Sequence, residues 1–205
     1  MMSILDIQAY LPKYLSEENY RNLLKELDSF PNNIDQRMYT TSLPDNVIFQ
    51  GDGYDSFPFV NLMRLEDGCK YRSGIVLSNT CDIAPENRRL YSSSIIYAPI
   101  MDLQKYVENL QVRDIQEDVI KNHIIDIRRQ AITSMLFLPS NSKMPDSIVF
   151  LDRIMSVDNS YIPREQLKSK RLFSLSDYGF YMLLFKLSVH FSRIQEKVNR
   201  GHGHS

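Results

Sequence analysis

The sequence has 205 residues, and its 43% hydrophobic content is enough to build one well-buried core. Its 24 basic and 25 acidic residues nearly balance, which excludes a strongly basic polyanion-binding protein, so any nucleic-acid site must be local. The only cysteines are Cys69 and Cys81, and the N-terminus lacks the basic start and long apolar run of a signal peptide. We therefore predict a reduced, cytoplasmic setting. No segment approaches the roughly 18 consecutive apolar residues that span a bilayer, so we expect no membrane association.

Residues 1–45 are predicted to form an N-terminal helical extension. Ser16 can cap a helix over residues 17–29 by accepting hydrogen bonds from its free N–H groups. The apolar residues of this helix recur at helical spacing and form one stripe: Tyr20, Leu23, Leu24 and Leu27. Turn-forming residues at 31–33 and 43–46 end the extension, which predicts a domain boundary near residue 45.

Residues 46–200 are predicted to form the main domain, which is mainly β. Short strand-like runs are separated by turn residues and cover 47–49, 57–63, 73–77, 93–98, 132–138 and 147–151. Short strands at this spacing favour a small barrel.

Residues 102–130 interrupt the strands and are predicted to form two inserted helices. Their apolar faces are Leu103, Tyr106, Val107 and Leu110, followed by Ile115, Val119, His123 and Ile127. Asp114 and Glu117 have the spacing of a capping box at the start of the second helix.

The main domain is predicted to close on a C-terminal helix that Ser176 caps. Its core face is Tyr178, Tyr181, Phe185, Val189, Ile194 and Val198. We expect the tail, residues 201–205 (GHGHS), to be flexible, since glycine-separated terminal histidines are typical of a disordered end. Neither cysteine has the Cys/His spacing of a zinc site, so we predict no metal and no cofactor.

Four blocks in order resemble the MazF/PemK/Kid family of toxin-type endoribonucleases over residues 71–194. They are residues 71–79 (YRSGIVLSN), 95–100 (IIYAPI), 145–158 (PDSIVFLDRIMSVD) and 175–177 (LSD). The resemblance implies an α+β, mainly β fold: a small SH3-like (PemK/CcdB-type) barrel with a C-terminal helix. The N-terminal extension and the helical insertion are additions of this chain.

The same resemblance implies metal-independent cleavage of single-stranded RNA, in which the ribose 2′-hydroxyl attacks the adjacent phosphate. This chemistry needs a base, an acid and a cation that holds the developing negative charge. Arg72 falls on the family's catalytic arginine, and a guanidinium suits phosphate through paired hydrogen bonds. We assign the sites as follows: Arg72, Asp82 and Asp152 as catalytic residues; Ser78, Asn79, Thr80 and Arg153 as substrate-binding residues.

Residues 78–82 (SNTCD) follow a predicted strand, where sites are often built. Asp82 could act as a base, and Cys81 could act as a thiolate with His123 or His190 beside it. The structural alternative is that Asn and Asp side chains cap turns and that a lone cysteine packs in a core.

Departures from the family pattern leave a second function open. Ser73 replaces a proline, Met101 replaces a hydroxyl residue, and Met155 replaces an arginine whose charge Arg153 could supply from another direction. Methionine cannot exchange a proton with a phosphate or a hydroxyl. The alternative is a catalytically degenerate barrel that acts as a binding or regulatory module in a bacterial toxin–antitoxin or phage-defence system.

The predicted partners are single-stranded RNA, an antitoxin-like protein and, by resemblance, a second copy in a homodimer. Basic residues that could hold an RNA backbone, if their loops converge, are Arg88, Arg89, Arg128, Arg129, Lys168, Lys170 and Arg171. Tyr71 and Tyr91 offer faces on which bases could stack.

Overall fold

The computed structural model describes residues 37–61, 65–87, 89–113 and 115–192, together with Glu18, Arg21 and Lys25. Those three residues are helical and exposed, in keeping with the predicted N-terminal helix. Several predictions fall outside the described residues: the Ser16 cap, the apolar stripe of that helix, Arg88, Asp114, Ile194, Val198 and the tail.

The described residues form an α+β fold with one eight-stranded, antiparallel sheet, which confirms the predicted class. The strands are β1 (Tyr39–Thr40), β2 (Gly53–Val60), β3 (Cys69–Val76), β4 (Ser94–Asp102), β5 (Met135–Leu138), β6 (Ser147–Phe150), β7 (Met155–Asp158) and β8 (Arg171–Leu175). The helices are α1 (Leu103–Gln111), α2 (Glu117–Arg128), α3 (Leu167–Lys170) and α4 (Asp177–Ser192). The strand order is β1-β8-β2-β3-β4-β6-β5, with β7 beside β4, and pairing among the described residues does not close the sheet into a barrel. None of the described helices is long and apolar enough to cross a membrane.

Five of the predicted strands are present with shifted ends, and the run 47–49 is not a strand. That run leads into a turn instead, where the Phe49 N–H donates to Asp52 Oδ2 at 2.9 Å. Strands β1, β7 and β8 were not predicted. β1 pairs with β8, so the sheet begins at Tyr39, ahead of the boundary predicted near residue 45.

β4 changes partners along its length, and this change shapes the molecule. Its first half pairs with β7, its centre pairs with β3 from Gly74↔Pro99 to Val76↔Tyr97, and its last residues pair with β6. Pro99 has no N–H to donate, and it is the last residue of β4 that pairs with β3. Beyond Pro99 the two strands are no longer paired, which leaves a gap between residues 71–73 and residues 100–102.

The two helices predicted within residues 102–130 are present as α1 and α2. Asp102, the last residue of β4, caps α1 by accepting from the N–H groups of Gln104 at 2.7 Å and Lys105 at 3.4 Å. The residue before α2 is Gln116, whose side chain makes no capping bond. The insertion is held on β5 and β6 by a buried apolar cluster of Leu103, Ile127, Phe137, Ile148 and Phe150.

The end of α2 is fixed by two buried polar side chains. Gln130 has a φ of 58°, a left-handed conformation that costs about 1–2 kcal/mol for a residue other than glycine. Its side chain offsets this cost by bonding both backbone groups of Phe137, at 2.8 and 3.0 Å. Lys186 of α4, which is only 2% exposed, donates to the carbonyls of Gln130 and Ile132. Burial lowers the pKa of Lys186 to about 8.

α4 closes the core on one face of the sheet. Ser176 caps it as predicted, because its Oγ accepts from the Gly179 N–H at 3.1 Å. Tyr178, Tyr181, Met182 and Leu183 are buried in a cluster with side chains of β3, β4, β5, β6 and β8. Of the predicted core face, Phe185 and Val189 are only half-buried.

Candidate functional site

An open cleft with a volume of 780 Å³ occupies the gap between β3 and β4 beyond Pro99. We call it the β3–β4 cleft. The strands contribute Asp55, Tyr71, Arg72, Ser73, Ile100, Met101, Asp102, Met135, Ser147, Phe150 and Leu172. The insertion contributes Lys105, Tyr106, Asn109, Leu110 and Arg113, and loops contribute Lys143, Met144, Pro145, Asp152 and Arg153. Its volume falls in the range of small-molecule and nucleotide sites, about 300–1,000 Å³.

Arg72 is the exposed cation on the β3 wall of this cleft. Within the described part of the chain its guanidinium has no ion pair and no hydrogen bond, so all of its donors can serve a ligand. The strand beneath it is packed closely, since a Cβ at Gly74 would lie 2.6 Å from the ring of Phe57. Arg72 therefore projects from a rigid support.

A β-bulge in β2 carries a carboxylate, Asp55, that lines the same cleft as Arg72. The register between β2 and β3 shifts between Tyr54 and Phe57, and Ser56 in the bulge has a φ of 68°. The Asp55 carboxylate accepts from the Ser56 N–H at 2.8 Å and from the Ser73 hydroxyl at 3.3 Å. Ser73 thus holds Asp55 at the rim of the cleft.

Asp152 and Arg153 enter the cleft from the turn that follows β6. Asp152 is exposed, and among the described residues its carboxylate has no hydrogen bond or ion pair. The Arg153 guanidinium lies 4.3 Å from the centre of the Phe150 ring, a cation–π contact that fixes its direction. The structure therefore brings Arg72, Asp152 and Arg153 into one cleft.

The cleft carries a surplus of positive charge. Its described lining holds five basic side chains, Arg72, Lys105, Arg113, Lys143 and Arg153, against the carboxylates Asp55, Asp102 and Asp152. Asp102 is further engaged in capping α1, and Lys143 Nζ donates to the Arg171 carbonyl at 2.7 Å. Basic side chains around a cleft concentrate anionic ligands, so this cleft favours such ligands although the whole chain is nearly neutral.

Sequence reasoning missed a Tyr–His pair at the wall of the cleft. Tyr106 of α1 lines the cleft, and its Oη lies 2.9 Å from Nε2 of His123 on α2. Burial raises the pKa of the Tyr106 hydroxyl, while the charges of Arg153 and Arg113 partly oppose that rise. Both residues stand on the predicted apolar faces of the inserted helices. The sequence signal for this pair was a ring with a polar group on the apolar face of each predicted helix.

The other predicted site residues lie in the β3–β4 loop, which we define as residues 77–93, and do not line the β3–β4 cleft. Ser78 is buried, accepts from the Ile96 N–H at 2.7 Å and donates to the Ser94 carbonyl at 3.2 Å. Asn79 accepts from the Cys81 N–H at 2.9 Å, and Thr80 accepts from the Gln50 N–H at 3.0 Å. Asp82 forms an exposed ion pair with Arg89. Asn79 therefore caps a turn as the structural alternative states, while Ser78, Thr80 and Asp82 are engaged by other groups of the chain.

The cysteines do not fit the thiol hypothesis or its packing alternative. Cys69 and Cys81 are both exposed and unbridged. His123 bonds Tyr106, and His190 makes an edge contact with Phe191 at 4.7 Å between ring centres. Among the described residues no group of His, Cys, Asp and Glu side chains could hold a metal ion.

The basic loops expected to form an RNA groove are mostly engaged elsewhere. Arg171 is buried, with its guanidinium 3.3 Å from Asp52 and donating to backbone carbonyls of residues 44 and 47. Arg128 pairs with Asp146, and Lys168 lies 3.0 Å from Asp45. Of the two tyrosines, Tyr71 lines the cleft and Tyr91 is exposed on the β3–β4 loop.

Comparison with known proteins adds no assignment, since the chain matches no protein-family model and no curated protein shows significant similarity to it.

Proposed function

We propose that this chain is a MazF/PemK-like endoribonuclease on a divergent SH3-like barrel, which binds single-stranded RNA in the β3–β4 cleft and cleaves it without a metal. The observation that carries the proposal is that Arg72 and Asp152, from motif blocks about 80 positions apart, line one cleft with a surplus of basic side chains.

The roles follow from the chemistry of the two side chains. The Asp152 carboxylate takes the proton of the ribose 2′-hydroxyl, and the 2′-oxygen then attacks the adjacent phosphorus. The Arg72 guanidinium donates to the phosphate oxygens, where negative charge builds up in the transition state. Arg153, Arg113 and Lys105 hold neighbouring phosphates. Tyr71, which is 65% exposed, offers a ring on which a base can stack.

Cleavage of a long RNA by the purified full chain in the presence of a chelator tests this function. We expect products with 2′,3′-cyclic phosphate and 5′-hydroxyl ends, and a loss of about 10²–10³-fold in rate for Arg72→Ala. Lys70→Ala is the matched control: it removes a cation from the same strand, but Lys70 pairs with Asp67 outside the cleft. Intact RNA across a broad set of sequences, or full activity of Arg72→Ala, would contradict the proposal.

The second candidate is a degenerate barrel that binds RNA or a protein without cleavage. Met101 favours it, since this side chain lines the cleft where the family has a hydroxyl residue and cannot exchange a proton. The substitution Met101→Thr separates the candidates when the parent and the variant are both expressed in bacteria. Growth arrest by the variant alone indicates a lost active site, whereas equal arrest by the parent argues against degeneracy.

A homodimer and an antitoxin-like protein that blocks the cleft extend the first proposal. Both rest on the family resemblance. Sedimentation at several protein concentrations tests the dimer, and competition between RNA and any co-purified protein tests the inhibitor.

A further inference from the structure

We propose that Tyr106 is the general acid of the β3–β4 cleft and that His123 resupplies its proton. The inference rests on the proposed ribonuclease function and adds a catalytic residue that the framework motifs do not contain. It assigns a chemical role to the helical insertion, which carries both side chains.

Geometry singles out the Tyr106 hydroxyl among the groups that line the cleft. Departure of the 5′-oxygen from phosphorus requires a proton donor, and the basic lining residues are cations suited to binding phosphate. Met101 has no such proton, and the hydroxyls of Ser73 and Ser147 donate to Asp55 at 3.3 Å and to the Pro145 carbonyl at 2.8 Å. The Tyr71 hydroxyl has no hydrogen-bond partner among the described residues that could resupply its proton. Tyr106 alone among the described lining residues has its hydroxyl against a histidine ring, at 2.9 Å.

The surroundings of Tyr106 suit an acid that must lose its proton briefly. Burial keeps the hydroxyl protonated by raising its pKa, so the acid form is present at neutral pH. The guanidinium groups of Arg153 and Arg113 act on the same hydroxyl in the opposite sense. They stabilise the phenolate oxygen when the proton has left.

His123 connects this hydroxyl to solvent. The ring is half-buried, with Nε2 on Tyr106, so protons can reach it from water. Histidine is the side chain that exchanges protons most readily near neutral pH.

Each proton that moves in this step has a donor and an acceptor. The 2′-hydroxyl proton passes to Asp152 as the 2′-oxygen bonds phosphorus and the bond from phosphorus to the 5′-oxygen breaks. The 5′-oxygen takes the Tyr106 proton, and Tyr106 then takes a proton from Nε2 of His123. Asp152 then releases one proton to water and His123 takes one back.

Two substrates separate an acid from a structural residue: RNA, whose leaving group is an alkoxide, and uridine 3′-(4-nitrophenyl phosphate), whose leaving group departs without protonation. We expect Tyr106→Phe to cleave RNA about 10²–10⁴-fold more slowly than the unmodified chain and to cleave the nitrophenyl ester at the unmodified rate. His123→Gln, which retains a hydrogen-bonding side chain, should show the same selective loss to a smaller extent. Tyr161→Phe is the control, since its hydroxyl donates to the Ser56 carbonyl at 2.9 Å and does not line the cleft.

Every outcome decides the inference. An equal loss on both substrates, or no loss on either, overturns the role of Tyr106 while the ribonuclease function stands. Failure of the unmodified chain to cleave either substrate overturns the proposed function and the inference together. Thermal unfolding of each variant shows whether a loss comes from misfolding.

Discussion

The polar side chains of the β3–β4 cleft and of the β3–β4 loop differ in how many of their hydrogen bonds are already made within the chain. In the loop, the side-chain oxygens of Ser78, Asn79 and Thr80 accept hydrogen bonds from backbone N–H groups. In the cleft, the side chains of Arg72 and Asp152 have no such partners among the described residues. A site for a ligand needs groups of the second kind, so the cleft is the better candidate although the loop has the denser cluster of reactive residue types.

The largest expected difference between the two regions is between their two aspartates. Asp152→Asn should lower the rate of RNA cleavage by about 10²–10³-fold, because the amide cannot take the 2′-hydroxyl proton. Asp82→Asn should leave the rate unchanged, because its carboxylate lies outside the cleft and pairs with Arg89 at the surface. Single-turnover cleavage of a defined RNA measures both. A greater loss for Asp82→Asn would move the site back to the loop.

Ser78 tests whether the loop is structural. Ser78→Ala removes the hydrogen bond that the buried Ser78 hydroxyl accepts from the Ile96 N–H, and we expect a loss of about 0.5–1.5 kcal/mol in the free energy of unfolding. Urea unfolding measures this loss. The activity per folded molecule should stay constant, whereas a fall in that activity without a stability change would assign Ser78 to the site.

Charge removal at the insertion tests whether the cleft holds the RNA backbone. Arg113→Ala or Lys105→Ala should weaken RNA binding by several-fold and reduce the slope of log affinity against log salt by about 0.7 for each lost contact. Lys121→Ala is the control, since this exposed lysine of α2 does not line the cleft. Titrations at several salt concentrations give the slopes. Equal slopes for all these variants would place the RNA elsewhere.

The smallest expected effect is on stability and concerns the hydrogen bond that joins the C-terminal end of the β3–β4 loop to Asp158. Ser92 donates to Asp158 at 2.7 Å, and the hydrogen bonds from Ser160 and Ser92 lower the pKa of the Asp158 carboxyl to about 2, from an ordinary value of 3.8. A lowered pKa stabilises the folded state above pH 3.8, and this contribution is lost as the pH falls through about 2. Asp158→Asn should therefore be slightly less stable than the unmodified chain at pH 7, and the difference should vanish near pH 2. Unfolding curves at both pH values measure it, and a difference that persists in acid would contradict the role of the carboxylate.

The sequence predicted those parts of the fold that local rules determine. Hydrophobic periodicity located the inserted helices, and the Ser176 hydroxyl marked the start of α4. Short strands such as β1, with two residues, and β7 depend on a partner strand far along the chain and carry little local signal.

For the candidate site, the sequence predicted residue types and could not predict their neighbours. Thr80 is engaged by Gln50, 30 positions away, and Arg171 reaches the carbonyl of residue 47, 124 positions away. Both contacts exist only after folding. The sequence therefore cannot show which polar side chains form hydrogen bonds within the chain and which remain available to a ligand. The pairing of Tyr106 with His123 escaped prediction for the same reason, since it joins the meeting faces of two helices.

The buried lysine of α4 links this helix to the helical insertion. Lys186 donates to the carbonyls of Gln130 and Ile132, which follow the end of α2, the helix that carries His123. Pulling the ammonium away would leave a charge and both carbonyls unpaired in the interior, which costs several kcal/mol. The C-terminal helix and the end of α2 are thus coupled through Lys186. Displacement of α4 would therefore disturb the end of the helix that carries His123.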